Sequence, residues 1–489
     1  MPTLLHHLID DAAVRWPDRT AVSTTTESVT FRELADASLR GAAWLSARGV
    51  RRGDRVVVVG PSSVLVPALL YATSRIGAVF CVLHEQTSGR PLEHVLGETE
   101  PALVVGETDE VAALGVPSAA AREELFAAAE PVGVVADGPL PVDPLCLIYT
   151  SGTTSASPAA VVSTHAQAVF AVLAIHDALA YRPDDVVYCP LPLSFDYGMY
   201  QLFLGAVSGA RVHLGMPAEV GPSLLRNLHE SGATVLASVP AVSDTLLRLL
   251  RRKDARPPSL RLLTNTGAAM PPDLVDNLRA AIPTLAVQLM FGLTECKRAT
   301  IMPPDGDRGR PGSCGLPLAG TEVFAADATG KRLPAREIGE LVVRGPNVMA
   351  GYWRRPDLTE RRFPRAEGLF PCLRTGDHGW VDEDGYVYFV GRVDDIYKER
   401  GFRVSATEVE AAARRVPGVE RAAVIPPLDG LPALLVVVGE STPDEVLRRM
   451  RAEIEEFKIP RRCVIVESLP LTRNGKVDRK ALRAVVSGA

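Results

Sequence analysis

Short apolar runs alternate with helical patterns along the first three hundred residues. RVVVVG at Arg55–Gly60 is typical of a buried strand, Val64–Ile76 of a helix, and Ala78–Leu83 of a second strand. The strand pattern recurs at Ala102–Val105, Leu145–Tyr149, Val186–Cys189, Arg211–Leu214, Thr234–Ser238 and Arg261–Asn265. Strands separated by helices predict a parallel sheet, so the fold class is α/β.

The N-terminal segment has its own pattern. Apolar residues fall at helical spacing from Leu4 to Arg15, and Ala21–Thr30 alternates like a short hairpin. Thr30 followed three residues later by Glu33 predicts a capping box at the start of a helix that runs to Arg48.

The texture changes after Pro311 to short strands and turns, which predict a small β subdomain of the large body. Beyond Gly391–Asp395 a compact α+β unit is expected. Its elements are Thr407–Arg415 (helix), Val419–Pro426 (strand), Ala433–Gly439 (strand), Thr442–Glu456 (helix) and Arg462–Val466 (strand). We therefore predict a large domain at 1–391 and a small mobile C-terminal lid at 392–489.

Composition narrows the possible partners. Apolar residues make up 47% and charged residues 23% of the 489 residues, and the formal net charge is -5. This balance argues against a nucleic-acid partner, and no apolar run is long enough to span a membrane. The 7 cysteines are scattered without a C-x-x-C pair, which favours a reducing cytoplasm over disulfides or zinc.

One stretch, Leu147–His165, carries the strongest chemical pattern. It reads LIYTSGTTSASPAAVVSTH, a strand that enters a loop of small and hydroxyl residues. Backbone N–H groups and hydroxyls in such a loop suit a polyphosphate, although no Walker pattern is present. A Ser/Thr-rich surface loop is the alternative. The candidate phosphate contacts are Thr150, Ser151, Gly152, Thr153 and Thr154.

The stretch resembles the TSGTTGxPKGVxxTH motif of the adenylate-forming superfamily, which includes acyl-CoA synthetases, peptide-synthetase adenylation domains and luciferases. Four further motifs of that family follow in the family's order: FGLTE at Phe291–Glu295, RTGD at Arg374–Asp377, GRVDD at Gly391–Asp395 and NGKVDR at Asn474–Arg479. The resemblance covers essentially the whole chain and implies ATP-dependent activation of a carboxylic acid.

The resemblance assigns roles in nucleotide binding. Thr294 would contact the α-phosphate, Glu295 would coordinate Mg²⁺, and Phe291 would lie against the adenine. Gly267 and Ala268 belong to a turn, TGAA, that resembles the family's adenine-edge turn and follows a predicted strand, where open α/β sheets bind ligands.

Further roles fall in the C-terminal third. Asp377 would bind the ribose hydroxyls with Arg392 as a second ribose or phosphate contact, and Lys476 would bridge the substrate carboxylate and the α-phosphate. The family's hinge and its second half-reaction would use Asp394, Lys398 and Gly401.

The first loop departs from the family motif. Ala159 stands where the family has Lys, and Ala160 where it has Gly. The lost cation would have lain near the leaving phosphates. Lys297 or Arg298, directly after FGLTEC, are candidates to compensate, and slow adenylation is the alternative.

The acid pocket is predicted from FDYGMYQ, which aligns with the FDxSxxE pattern of peptide-synthetase adenylation domains. Asp196 occupies the position that pairs with a substrate amino group, while Gly198 and Gln201 replace the Ser and Glu of that pattern. An amino acid, a small carboxylic acid, or a merely structural Asp at a helix N-terminus all fit. Candidate lining residues are Tyr197, Met199, Tyr200, Ser238, Ala241, Asn265, Gly267 and Met290.

The expected enzyme is a cytoplasmic, Mg²⁺-dependent acid ligase that forms an acyl-AMP from ATP and releases pyrophosphate. The acceptor is CoA or a carrier-protein pantetheine, with an amine as the alternative. No carrier domain follows Ala489, so a stand-alone enzyme is expected. A non-catalytic nucleotide-binding protein derived from a ligase is the alternative of another class.

Overall fold

A computed structural model describes most of the chain. The described residues are 2–106, 111, 115–127, 138–150, 158–216, 219–365, 370–392, 396–399, 402–427, 431–454, 456–472 and 477–487. The chain divides into two compact units. Unit 1 comprises Met1–Gly309, Gly315–Glu322 and Val343–Arg374, and unit 2 comprises Arg310–Cys314, Val323–Val342 and Thr375–Ala489.

The helices alternate with strands in the first part of the chain, as the apolar pattern predicts. The helices are α1 His6–Arg15, α2 Phe31–Ala47, α3 Leu65–Ile76, α4 Gly89–Thr99, α5 Ser118–Phe126, α6 His165–Leu179, α7 Asp196–Ser208, α8 Leu224–Ser231, α9 Pro240–Leu250, α10 Pro272–Ala281, α11 Pro356–Arg362, α12 Ala406–Arg414, α13 Pro443–Met450 and α14 Arg479–Ser487.

The strands through the first phosphate-loop motif and its exit are β1 Thr20–Ser23, β2 Ser28–Thr30, β3 Arg55–Gly60, β4 Val79–His84, β5 Leu103–Gly106, β6 Val116–Pro117, β7 Pro144–Thr150 and β8 Ala159–Thr164. Those that follow are β9 Val186–Cys189, β10 Arg211–Leu214, β11 Val235–Ser238, β12 Leu262–Asn265, β13 Ala286–Phe291, β14 Thr300–Ile301, β15 Ser313–Pro317, β16 Glu322–Ala326, β17 Gly339–Arg344 and β18 Gly351–Tyr352. The last are β19 Leu373–Val381, β20 Val387–Arg392, β21 Ile396–Glu399, β22 Phe402–Ser405, β23 Val419–Ile425, β24 Leu434–Gly439 and β25 Arg462–Ile465.

Unit 1 holds two sheets with parallel centres. One has the strand order β18-β8-β7-β4-β3-β5-β6, parallel from β7 to β6 and antiparallel at β8 and β18. In the other, β1, β10, β9, β11, β12 and β13 are adjacent and parallel in that order. The apolar strands are buried on both faces, as parallel strands flanked by helices require. The predicted α/β fold class is confirmed.

The capping box predicted near the N-terminus is also present in the structure. The Thr30 side chain accepts a hydrogen bond from the Glu33 backbone N–H, and the Glu33 carboxylate accepts one from the Thr30 backbone N–H, so the predicted capping box is present. Gly41 on α2 faces α3 closely, because a Cβ added there would lie 2.8 Å from the Cβ of Ala72. The glycine therefore allows these two helices to approach.

Unit 2 contains most residues of four strands in the order β16-β17-β19-β20, the hairpin β21–β22, and the sheet β23-β24-β25. Two apolar clusters lie on either side of the last sheet. One includes Val409, Leu435 and Met450, and the other includes Val436 and Leu482. Every residue of both clusters lies after position 396, which supports a separate C-terminal core. The boundary between 1–391 and 392–489 stays a prediction.

One predicted element is shorter than expected. The helix predicted over Thr442–Glu456 ends at Met450, and turns follow. Pro443 at the first helical position and the Thr442 cap fix its start, whereas apolar spacing alone does not reveal its end. Among the described helices, none combines the length and the apolar character that crossing a bilayer requires.

Candidate active site

The carboxyl ends of three adjacent parallel strands bring the predicted pocket residues together. Ser238 at the end of β11 pairs with Asn265 at the end of β12, and Asn265 pairs with Leu289 of β13. Met290 and Phe291 complete β13. Open α/β sheets bind ligands at this edge, so Ser238, Asn265 and Met290 lie where the sequence predicts an acid and nucleotide pocket.

The turn after β12 is pinned by Asn265. Its amide Nδ2 donates to the backbone oxygen of Ala268 at 3.0 Å, while its Oδ1 is buried without a hydrogen-bond partner among the described residues. Gly267 has φ +86°, a conformation that favours glycine. The predicted adenine-edge residues Gly267 and Ala268 therefore form a fixed turn at the sheet edge.

The segment Phe291–Arg298, here called the Lys297 turn, folds back tightly on itself. A Cβ at Gly292 would lie 2.2 Å from the backbone oxygen of Lys297, so only glycine fits there. The Asn347 amide donates to the backbone oxygens of Cys296 and Arg298 at 3.2 and 3.0 Å. These contacts fix the backbone that carries Thr294 and Glu295.

Asp196, the first residue of α7, lies beside this turn. Its carboxylate is 3.8 Å from Arg298 Nη1, and both side chains are 4% exposed. Thr294 Oγ1 lies 3.5 Å from the other carboxylate oxygen. Asp196 thus contacts two residues of the turn. An Asp at the N-terminus of a surface helix would make no such contacts. Both contacts are long, so its oxygens retain capacity to accept stronger hydrogen bonds.

Two tyrosines of α7 lie under the two cations of the turn. The Arg298 guanidinium carbon is 4.5 Å from the Tyr197 ring centroid, and Lys297 Nζ is 5.5 Å from that of Tyr200. The Tyr197 hydroxyl donates to the backbone oxygen of Thr264 at 2.8 Å. Lys297 is 0% exposed, and its ammonium has no hydrogen-bond acceptor among the described residues. Both cations therefore lie against α7.

Glu295 is held by a residue that the sequence pattern did not single out. The Tyr352 hydroxyl donates to Glu295 Oε1 at 2.6 Å, and both residues are buried. Burial and the nearby Glu295 charge raise the pKa of Tyr352, so the phenol remains a donor at neutral pH. Glu295 Oε2 has no hydrogen bond within the described part of the chain.

This arrangement fits one Mg²⁺ ligand. Groups of three or more metal-ligating side chains are absent among the described residues. Mg²⁺ bound with nucleotides commonly takes one or two protein carboxylates and completes its shell with phosphates and water. A single carboxylate with one oxygen uncommitted, as in Glu295, suits that mode.

Glu98 of α4 is hydrogen-bonded to β7 and to the segment that follows β18. Its carboxylate accepts hydrogen bonds from the Tyr149 hydroxyl and from Arg355 Nε, each at 2.9 Å, and its backbone oxygen accepts one from Trp353 Nε1 at 3.2 Å. His94 Nε2 donates to the backbone oxygen of Pro158 at 3.1 Å. These residues are here called the Glu98 cluster, and they tie Tyr149, Pro158 and the segment after β18 to α4.

Ala159 and Ala160 belong to β8 and are buried, Ala159 opposite Thr150 of β7. The place aligned with the family's Lys is therefore inside the sheet. Lys297 and Arg298, considered as replacements for that Lys, lie against Tyr200, Tyr197 and Asp196, and their contacts give no support to a role at the loop.

In unit 2, the structure brings together two predicted nucleotide contacts. Asp377 of β19 pairs directly with Arg392 of β20, and Asp377 is 4% exposed. Its backbone N–H donates to Thr375 Oγ1 at 3.0 Å, and Gly376 before it has φ +71°. The RTGD motif is thus a fixed strand segment with a buried carboxylate.

Several predicted residues have no described side chain. Thr150, Arg392 and Lys398 lie in described strands, without a description of their side chains. The residues that lie outside the described ranges are Ser151, Gly152, Thr153, Thr154, Asp394, Gly401 and Lys476.

Comparison with known proteins agrees with the motifs. Residues 9–353 match the family described as AMP-binding enzyme, and residues 408–476 match the AMP-binding enzyme C-terminal domain. The chain is 30% identical to a plipastatin synthase polypeptide of Bacillus subtilis over 99% of its own length, and it spans about a fifth of that relative, 19%. It is 28% identical to 2-succinylbenzoate–CoA ligase of Bacillus cereus over 96% of each chain.

Solved structures are similar as well. VinN in complex with L-aspartate has a TM-score of 0.71 at 37% identity, covering 79% of this chain and 98% of the other. ATP-bound MatB from Rhodopseudomonas palustris has a TM-score of 0.84 at 28% identity and covers 98% of both chains. The chain therefore belongs to the AMP-binding enzyme family.

Proposed function

We propose that this enzyme activates a small amino acid that carries a second carboxylate, forms its acyl-AMP, and transfers the acyl group to a thiol. The supporting observation is the Lys297 ammonium, which is fully buried, with no acceptor among the described residues, beside the Arg298–Asp196 pair. A buried charge without a partner is costly unless a ligand compensates it. A substrate carboxylate supplies that compensation.

The neighbouring charges define the rest of the substrate. Arg298 presents a planar guanidinium that suits a carboxylate, and Lys297 adds a second cation one residue away. Asp196 has only two long contacts among the described residues and can accept hydrogen bonds from a substrate ammonium. The similar protein VinN is named in complex with L-aspartate, which has this combination of one amine and two carboxylates.

The substrate carboxylate that does not bind Lys297 and Arg298 is the one that reacts with ATP. One of its oxygens attacks the α-phosphorus of ATP, a P–O bond forms, the bond to the β-phosphate oxygen breaks, and pyrophosphate leaves. Thr294 and Lys476 stabilise negative charge at the α-phosphate, and Glu295 would hold Mg²⁺. When bound, Mg²⁺ neutralises charge on the phosphates. Phe291, Gly267 and Ala268 hold the adenine.

A thiol is the proposed acceptor. Its sulfur attacks the acyl carbonyl carbon, a thioester forms, AMP leaves with the electrons of the broken C–O bond, and the thiol proton is released to solvent. The similar 2-succinylbenzoate–CoA ligase supports CoA, and the similar plipastatin synthase is consistent with a carrier-protein pantetheine. An amine acceptor is the second possibility, and product mass in the presence of CoA, pantetheine and simple amines distinguishes the three.

The substrate class is tested by pyrophosphate release with a matched panel. L-Aspartate carries the amine and both carboxylates, succinate lacks the amine, and alanine and β-alanine each lack one carboxylate. We expect release with L-aspartate or its small homologues to exceed release with the other three acids by at least about 10-fold, because each lost group leaves a buried charge unpaired. Preference for succinate or for either monocarboxylate contradicts the proposal.

The two half-reactions are separated by two variants. Lys476→Ala should slow acyl-AMP formation by orders of magnitude and still consume a chemically made acyl-AMP, because transfer uses the rotated lid. Asp394→Pro should do the opposite, because proline restricts the pivot. If Lys476→Ala slows both steps equally, the lid mechanism does not apply to this chain.

A further inference from the structure

Tyr352, whose hydroxyl donates to Glu295, lies in a short segment that is hydrogen-bonded on both sides. Gly351 and Tyr352 form β18, which pairs with Val162 and Val161 of β8, the strand that leaves the phosphate loop. The Met349 backbone N–H donates to the Glu295 backbone oxygen at 2.8 Å. Residues 349–352 therefore join β8 to Glu295 directly.

The side of Tyr352 away from Glu295 is equally constrained. Its backbone N–H donates to Thr359 Oγ1 at 3.0 Å, and its ring lies 5.6 Å from that of Phe363. The Arg362 guanidinium of α11 lies near the same hydroxyl and opposes the rise of its pKa. Gly351 has φ +130°, and a Cβ there would lie 2.4 Å from Thr359. The Tyr352 hydroxyl is thus held between a cation and a carboxylate.

We propose that Tyr352 is the positioning residue for Glu295, fixing Oε1 so that Oε2 is presented to the divalent cation that accompanies ATP. A hydroxyl that donates to one oxygen of a ligating carboxylate fixes its orientation and leaves the second oxygen for the metal. The proposal rests on the nucleotide chemistry of the proposed function and is independent of which acid is activated.

The test compares Tyr352→Phe with Trp353→Phe. The first removes the hydroxyl and keeps the ring against Phe363. The second removes a hydrogen-bond donor from the next residue, which contacts Glu98 and not Glu295. Calorimetry measures ATP binding with Mn²⁺ and with EDTA, and pyrophosphate release is titrated with Mg²⁺.

Tyr352→Phe should weaken Mn²⁺·ATP binding by about 10-fold and raise the Mg²⁺ concentration for half-maximal release to the same degree, with ATP binding in EDTA unchanged. Trp353→Phe should leave all three quantities at the wild-type level. Equal shifts in the two variants, or an unchanged Mn²⁺ dependence in Tyr352→Phe, overturn the proposal.

A second variant covers the case in which Tyr352→Phe does not fold. Arg362→Met removes the other partner of the hydroxyl and leaves Tyr352 and Glu295 in place. It should shift the Mn²⁺ dependence in the same direction by a smaller factor, and no shift contradicts the proposal. Because Mn²⁺·ATP binding needs no acid, it still reports on Tyr352 if the proposed amino acid substrate is wrong.

Discussion

The Glu98 carboxylate and the Lys297 ammonium are both charged groups with little exposure, yet their hydrogen bonding differs completely. The Glu98 carboxylate accepts from Tyr149 and Arg355, and its backbone oxygen accepts from Trp353. Lys297 has an aromatic ring beneath it and no acceptor within the described chain. A satisfied buried charge stabilises the fold, whereas an unsatisfied one is expected where a ligand completes it.

The largest expected effect belongs to Lys297. Lys297→Met keeps the volume and removes the charge, so kcat/KM for an amino diacid should fall about 100-fold, while alanine and β-alanine are affected far less. Thermal stability should hold or rise, because a buried unpaired cation is removed.

Exposed Lys253 offers the matched control. Lys253→Met changes the net charge equally and should leave both rates unchanged. A comparable loss with the monocarboxylates in Lys297→Met would mean that the ammonium serves the nucleotide or the fold, and the contrast between the two regions would be wrong.

The second-largest expected effect belongs to Glu98, where a substitution should lower stability and leave substrate preference unchanged. Glu98→Ala leaves the partly buried Tyr149 hydroxyl and the half-exposed Arg355 without their shared acceptor, so the free energy of unfolding should fall by about 2 kcal/mol. The ratio of rates with amino diacid and monocarboxylate should stay at the wild-type value. Denaturant unfolding and the acid panel measure the two, and an altered ratio would assign Glu98 to the acid site.

His165 is the intermediate case, with one ring nitrogen satisfied. Its Nδ1 accepts a hydrogen bond from the Leu5 backbone N–H at 3.2 Å, and its buried Nε2 has no partner among the described residues. Burial lowers the pKa of His165 from its ordinary value of 6.5 to about 4, although the Asp143 charge opposes this shift.

Because the unfolded chain binds this proton more readily, stability is present above about pH 6.5 and is lost as the pH falls towards about 4. Between pH 7 and pH 5 the loss should be about 2 kcal/mol. His165→Asn should reduce the difference between denaturant midpoints at the two pH values. The same difference in both proteins contradicts a buried neutral histidine.

The smallest expected effect is that of Trp353→Phe, which removes one hydrogen bond to the Glu98 backbone oxygen. The free energy of unfolding should fall by about 1 kcal/mol, less than in Glu98→Ala, because one acceptor loses one donor. Denaturant unfolding of the two variants tests the order. A larger loss in Trp353→Phe would place the stability of this cluster in the indole packing.

Local sequence patterns and the order of the motifs predicted the fold class, several elements and the family. The capping box at Thr30 and Glu33, the apolar strands such as Arg55–Gly60, and the α/β class follow from interactions within a few residues. The five ordered motifs identified the family, and RTGD already named the Asp377 that pairs with Arg392.

Tertiary structure alone decided which buried groups meet. Glu295 and Tyr352 are 57 positions apart, and Glu98 and Arg355 are 257 apart, so no periodicity connects them. The sequence around Tyr352 gave no chemical signal, because the role proposed for Tyr352 depends on Glu295, which only the folded chain brings next to it. Lys297 resembles a solvated cation after a motif, and only the packing of α7 against the turn removes it from water. Burial and pairing depend on the whole chain's topology, which local spacing does not encode.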